Sequence, residues 1–160
     1  MFFKKKKTVV SLVAPLTGTS VSLGEVPDPA FAEALLGDGV AIKPTNGVLV
    51  SPCDGIVAHL IDTHHACIVG HDSGVEVLMH IGVNTVQLKG EGFKPLIKTG
   101  DVVKQGQPLI EFDMAFIESK GYPVITPVIM ANGEVVEQLT KHTGEVKAGD
   151  NTVLEVEVKK

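Results

Sequence analysis

The stretch THHACIVGHDSGVEVLMHI, Thr63 to Ile81, decides the fold. Two apolar runs, Ala66 to Val69 and Val75 to Ile81, flank the polar segment His71-Asp72-Ser73-Gly74. Short apolar runs around a Gly-containing turn read as an antiparallel hairpin. In an even-numbered loop centred between Asp72 and Ser73, His65 stands opposite His80, with Cβ atoms about 4.5–5.5 Å apart. A three-residue loop shifts the pairing by one and sends these side chains to opposite faces. In the even register, alternation groups Glu76 and Leu78 with His80, and Cys67 and Val69 with His65. Val75, Val77, Met79 and Ile81 then face the core.

Outward from the hairpin, the same grammar recurs. Val48 to Val50, Gly55 to Ile61, Pro108 to Phe112, Val124 to Met130 and Val153 to Val158 are further strand candidates. Runs spaced about 8–12 residues apart indicate a sandwich or barrel. APLTGTSVSL (Ala14 to Leu23) aligns with SPCDGIVAHL (Ser51 to Leu60), and GDVVKQGQPLIEFD (from Gly100) echoes GEVKAGDNTVLEVE (from Gly144). Two repeats without a fixed period predict an all-β antiparallel sandwich, barrel-like and internally duplicated. Helix is scarce. Asp28 to Leu36 starts with a capping Asp and a Pro and stops at Gly37, and Ala115 to Lys120 forms at most another turn.

A chain of 160 residues suits one domain, expected over residues 13–160 behind a basic tail at residues 1–12 that contains Lys4 to Lys7. The apolar run after that tail, Val9 to Leu16, is broken by Ser11 and Pro15 and is no signal peptide. Nothing approaches the roughly 20 apolar residues of a membrane span, so a cytoplasmic protein is expected. Cys53 and Cys67 read as reduced thiols. All 14 basic residues are lysine, so this chain grips no anion with an arginine fork of its own. A net charge of −5 also argues against a nucleic-acid surface.

The chemistry rests on the two histidines. A neutral imidazole has one ring nitrogen with a free lone pair, which can attack a phosphoryl group and pass it onward. A second imidazole can donate a hydrogen bond to the phosphoryl oxygens as charge builds on them. Spacing alone leaves two other readings open: histidines satisfied on a half-exposed strand pair, or a zinc site, for which two His fall short of the usual ligand count. A lipoyl- or biotinyl-type carrier would need Lys104 or Lys147 at a hairpin tip, and neither has the flanking motif. No phosphate loop, nucleophile elbow or metal motif supports an autonomous metabolic enzyme. His59, His64, His71 and His142 read as surface or structural residues.

GVEVLMHIGVNTVQLKGEGF (Gly74 to Phe93), LLGDGVAIKP (Leu35 to Pro44) and THHACIV (from Thr63) occur in order with family-like spacing. Together they resemble the glucose-type enzyme IIA of the bacterial phosphoenolpyruvate-dependent sugar phosphotransferase system. The resemblance runs from about Val13 to about Met130. It implies a β-sandwich with a shallow apolar depression around His80, the phosphorylated residue, and His65, the second active-site histidine. Thr63 matches the threonine that fixes the tautomer of His65. Asp28 falls at an acidic rim position and also reads as a helix cap. Asn84 stands where many members carry Asp, which removes one rim charge. The implied partners are HPr as phosphoryl donor and a IIB domain as acceptor, with no cofactor required. Two alternatives accompany this reading: a regulatory module whose docking is switched by phosphorylation of the same face, and an interfacial zinc at His65 and His80.

Overall fold

Short strands broken by Gly and Pro cannot bury a core singly, and here they assemble into three antiparallel sheets around one. The structure is a computed structural model that describes residues 7–160; residues 1–6, with most of the expected lysine tail, lie outside the described residues. The first seven strands are β1 (Thr8–Val13), β2 (Gly18–Ser22), β3 (Gly39–Pro44), β4 (Val48–Val50), β5 (Gly55–Leu60), β6 (Ala66–Gly70) and β7 (Glu76–His80). The remainder are β8 (Phe93–Pro95), β9 (Val102–Val103), β10 (Pro108–Phe112), β11 (Thr126–Met130), β12 (Val136–Lys141), β13 (Gly144–Val146) and β14 (Thr152–Val158). The large sheet runs β13-β2-β3-β11-β7-β6-β5-β9, and two three-stranded sheets run β1-β14-β12 and β4-β10-β8.

The duplication seen in the sequence is a pseudo-two-fold in the backbone. The Val13 N–H donates to the Pro52 carbonyl at 3.0 Å, and at the equivalent place the Val50 N–H donates to Pro15 at 2.8 Å. Gly106 donates to Ser51 and Gly149 to Ala14, each at 2.9 Å. Gly106 and Gly149 have φ of +84° and +81°, and they face each other so closely that a Cβ on Gly149 would lie 3.4 Å from the Gly106 Cα. Each repeat thus crosses over to hydrogen-bond the other.

The central strands of the large sheet are buried on both faces. Alternation sends Val40, Ile42, Val77, Met79, Val128 and Met130 into the main core between the sheets. Ala41, Leu78 and Ile129 point the other way, into a second cluster with Leu23, Val26, Phe31 and Val83. Helix α1 (Pro29–Ala32) covers this second face, and the Asp28 side chain caps it by accepting from the Ala30 N–H at 3.0 Å. The helix stops well before the expected Leu36. Ala34 turns left-handed at φ +55°, the Leu35 N–H bonds back to Ala30, and Leu35 and Leu36 remain exposed. Helix α2 (Met114–Ser119) starts one residue ahead of the expected turn and is capped by Asp113.

Strand pairing also begins earlier in the chain than expected. Residues 8–12 are not tail, because β1 pairs with β14 from Thr8 onward and its Leu12 is fully buried.

Candidate functional site

The β6–β7 hairpin has a three-residue loop, so the even register is corrected. His71 N–H donates to the Val75 carbonyl at 2.8 Å, and Gly74 takes φ +98° within the loop Asp72-Ser73-Gly74. His80 therefore stands opposite Ala66, not His65. Cys67 and Val69 consequently face the main core with Val77 and Met79, not the face of the histidines. Glu76 and Leu78 do share the partly exposed face of His80, while Val75, Val77, Met79 and Ile81 are buried as expected.

The imidazoles meet by another route. His65 precedes the first residue of β6 and closes the turn from β5, in which His64 is left-handed at φ +61°. Strand alternation does not bind it there. Its carbonyl accepts from the Ile81 N–H at 2.8 Å, and its ring centroid lies 4.7 Å from that of His80, with the planes at 80°. His65 is 4% exposed, whereas His80 is half-buried. Phe93 lies against His65 at 6.3 Å between ring centroids, and Phe31 of α1 packs on His80 at 5.0 Å.

Each ring has one nitrogen engaged. His80 Nδ1 lies 2.8 Å from the Gly82 carbonyl oxygen. A carbonyl only accepts, so Nδ1 carries the proton and Nε2 keeps its lone pair. His65 Nδ1 lies 2.7 Å from Thr63 Oγ1, which brings the third expected site residue into the constellation. Burial, and then the neighbouring His80, pushes the pKa of His65 down to about 4. Burial also lowers that of His80, opposed by the Gly82 hydrogen bond and by the charge of Asp28. Both shifts favour the neutral rings, and His80 Nε2 keeps a free lone pair. Asp28 thus acts twice, as helix cap and as the carboxylate acting on His80. Asn84 is exposed at φ +60° and makes no capping bond, an αL position that Asn tolerates.

The other histidines stay outside. His142 pairs with Glu155, and the His71 ring contacts Ser73 within its own turn. Cys53 and Cys67 are free and buried, and burial raises their thiols to about 11 and about 12. Among the described residues, no three His, Cys, Asp or Glu side chains converge as a metal set. A zinc ion at His65 and His80 would have only these two side chains of the described residues as ligands. Concavities of about 510 and 570 Å³ lie elsewhere, around Gly47 and Phe112 and around Ile56 and Val102. Sequence reading missed Phe31, Phe93 and Gly82 as site residues. Only Gly82, a glycine two residues after the histidine, offered a local signal. No helix among the described residues is long and apolar enough to cross a membrane.

Residues 10–136 match the family described as phosphoenolpyruvate-dependent sugar phosphotransferase system, EIIA 1. The chain is 47% identical over 148 residues to a PTS system glucose-specific EIIA component of Oceanobacillus iheyensis, covering 92% of this chain and 90% of that one. It is 41% identical to the glucose-specific EIIA component of Haemophilus influenzae, covering 94% and 92% of the two chains. A PTS system N-acetylglucosamine-specific EIICBA component of Klebsiella pneumoniae is 40% identical over 96% of this chain, which spans 24% of that longer protein. Among solved structures, glucose permease IIA from Mycoplasma capricolum superposes with a TM-score of 0.85 at 35% identity, covering 97% of this chain and 99% of that one. With this match over most of its length and two imidazoles in edge-to-face contact, the chain belongs to the EIIA 1 family of the sugar phosphotransferase system and is a phosphoryl carrier of that system.

Proposed function

We propose that His80 Nε2 is the phosphoryl acceptor, that HPr is the donor, and that a IIB domain in the cytoplasm receives the group. The observation that carries this reading is the 2.8 Å contact between His80 Nδ1 and the Gly82 carbonyl, which leaves Nε2 free. As the Nε2 lone pair forms its bond to phosphorus, the donor's own bond to phosphorus breaks and its electron pair returns to the donor side chain. The proton stays on Nδ1, hydrogen-bonded to the Gly82 carbonyl, so His80 needs no deprotonation before attack. Onward transfer runs the same steps toward the IIB nucleophile.

Thr63 Oγ1–H donates to His65 Nδ1, which leaves Nε2–H of His65 as a donor for the phosphoryl oxygens. The chain supplies no arginine, so further positive charge at the interface comes from the donor protein. Asn84 in place of an acidic residue weakens that attraction. The transfer as proposed uses side chains alone and no cofactor. Relatives named for glucose and for N-acetylglucosamine are 47% and 40% identical to this chain. That supports a carrier which contacts proteins and leaves the choice of sugar to the downstream domain. Phosphorylation adds about −1.5 to −2 charges beside Phe31 and Leu78, which is what a regulatory use of the same face would exploit.

Incubation with phosphoenolpyruvate, enzyme I and HPr tests the reading. Wild type gains acid-labile, base-stable phosphate and His80→Gln gains none. His65→Gln still accepts but transfers to IIB slowly. A labelled His80→Gln protein would overturn the assignment.

A further inference from the structure

His80 is held by a backbone carbonyl, and that carbonyl must itself be held. Four contacts fix the peptide that follows His80. The Ile81 N–H donates to the His65 carbonyl at 2.8 Å, tying the two histidine segments together. The Ile81 carbonyl accepts from Thr85 Oγ1 at 2.5 Å. Gly82 then takes φ +77°, which aims its own carbonyl back at His80 Nδ1. The Val83 N–H finally donates to the Pro123 carbonyl at 3.2 Å.

Thr85 touches this turn twice. Besides the hydroxyl bond, its methyl carbon lies 2.6 Å from where a Cβ on Gly82 would stand, so it packs directly on the glycine. The residue is fully buried and opens the 3-10 turn Thr85–Leu88. A hydroxyl that bonds back four residues outside a regular helix spends its bond on one carbonyl, here the one between the two residues that orient the nucleophile. Removing it would leave the buried Ile81 carbonyl unpaired, and the peptide would turn to find another donor, taking the Gly82 carbonyl with it.

From this geometry we infer that Thr85 is a positioning residue for His80, acting through Gly82 to keep the Nδ1–H, Nε2-lone-pair tautomer in place. The inference rests on His80 as the acceptor, and its first readout is independent of phosphoryl transfer. In ¹⁵N-labelled wild-type protein, His80 shows one tautomer with Nε2 unprotonated. Thr85→Val keeps the shape and removes the hydroxyl; its His80 nitrogens move toward a tautomer mixture, and its acceptance rate from phospho-HPr falls about tenfold. Thr85→Ser keeps the hydroxyl and loses the methyl; it loses comparable stability but retains the wild-type His80 spectrum and a rate within about twofold. A Thr85→Val protein with an unchanged His80 spectrum overturns the inference, as does a Thr85→Ser protein that matches the Val variant in spectrum. If His80 is not the acceptor, the labelling experiment fails while the ¹⁵N comparison still decides the role of Thr85.

Discussion

Replacing His65 by Gln should flatten the acid limb of the stability curve. Folded His65 is almost wholly buried with a pKa near 4, against about 6.5 for an unperturbed imidazole. As pH falls through 6.5, the unfolded chain binds a proton at this position that the folded chain refuses until about pH 4. Between those values the unfolded state holds more protons, so the free energy of unfolding falls as pH falls. The gap corresponds to about 3 kcal/mol, complete near pH 4 and absent above about pH 7. For a urea slope of about 2 kcal/mol/M, the midpoint shifts by about 1.5 M. His80, whose pKa is lowered as well, acts in the same direction but is present in both proteins. Urea denaturation of wild type and His65→Gln from about pH 7.5 down to about 4.5 should give curves whose separation changes by roughly 2 kcal/mol or more. Parallel curves would refute the claim that burial holds this imidazole neutral.

Further substitutions address other parts of the account. Asp28→Asn keeps a capping oxygen and removes the charge that raises the pKa of His80, so an NMR titration should show that pKa lower than in wild type; Asp28→Ala should also cost about 1 kcal/mol of stability through the lost cap. Thr63→Val should leave acceptance from HPr near the wild-type rate and slow onward transfer about tenfold, since it frees the Nδ1 of His65, which stopped-flow transfer to IIB would resolve. Gly106→Ala and Gly149→Ala should each cost about 1–2 kcal/mol in chemical denaturation, because both force an L side chain into left-handed backbone at the pseudo-two-fold. A loss at only one of the two would contradict that symmetry.

What the sequence made legible divides along physical lines. Apolar strands such as VLMHI and TPVIM could be read, and the repeats pointed to an internal duplication, though not to the crossed hydrogen bonds that build its pseudo-two-fold. β12 and β13 escaped because VEQLTK and GEV are mostly exposed edge segments with no apolar alternation, and β1, β3 and β8 were not among the strand candidates either, although GVAIKP of β3 is buried almost throughout. The register of the hairpin turned on whether Gly74 is the third loop residue in left-handed backbone, a choice that HDSG does not specify. His65 and His80 were paired for the wrong reason: they meet because a turn frees His65 from strand alternation, not because they face each other in the ladder. Phe31 and Phe93 reach the site from segments remote in sequence, and no local pattern marks such contacts.

Phosphoryl transfer by this chain turns on one nitrogen atom. The Gly82 carbonyl occupies the Nδ1 side of His80, so the phosphoryl group should reside on Nε2. Phosphorylating ¹⁵N-labelled protein with phosphoenolpyruvate, enzyme I and HPr and recording the one-bond ³¹P–¹⁵N coupling identifies the bonded nitrogen directly. A single phosphohistidine is expected, coupled to Nε2 of His80, with Nδ1 still protonated. A coupling to Nδ1, or to any nitrogen of His65, would contradict it.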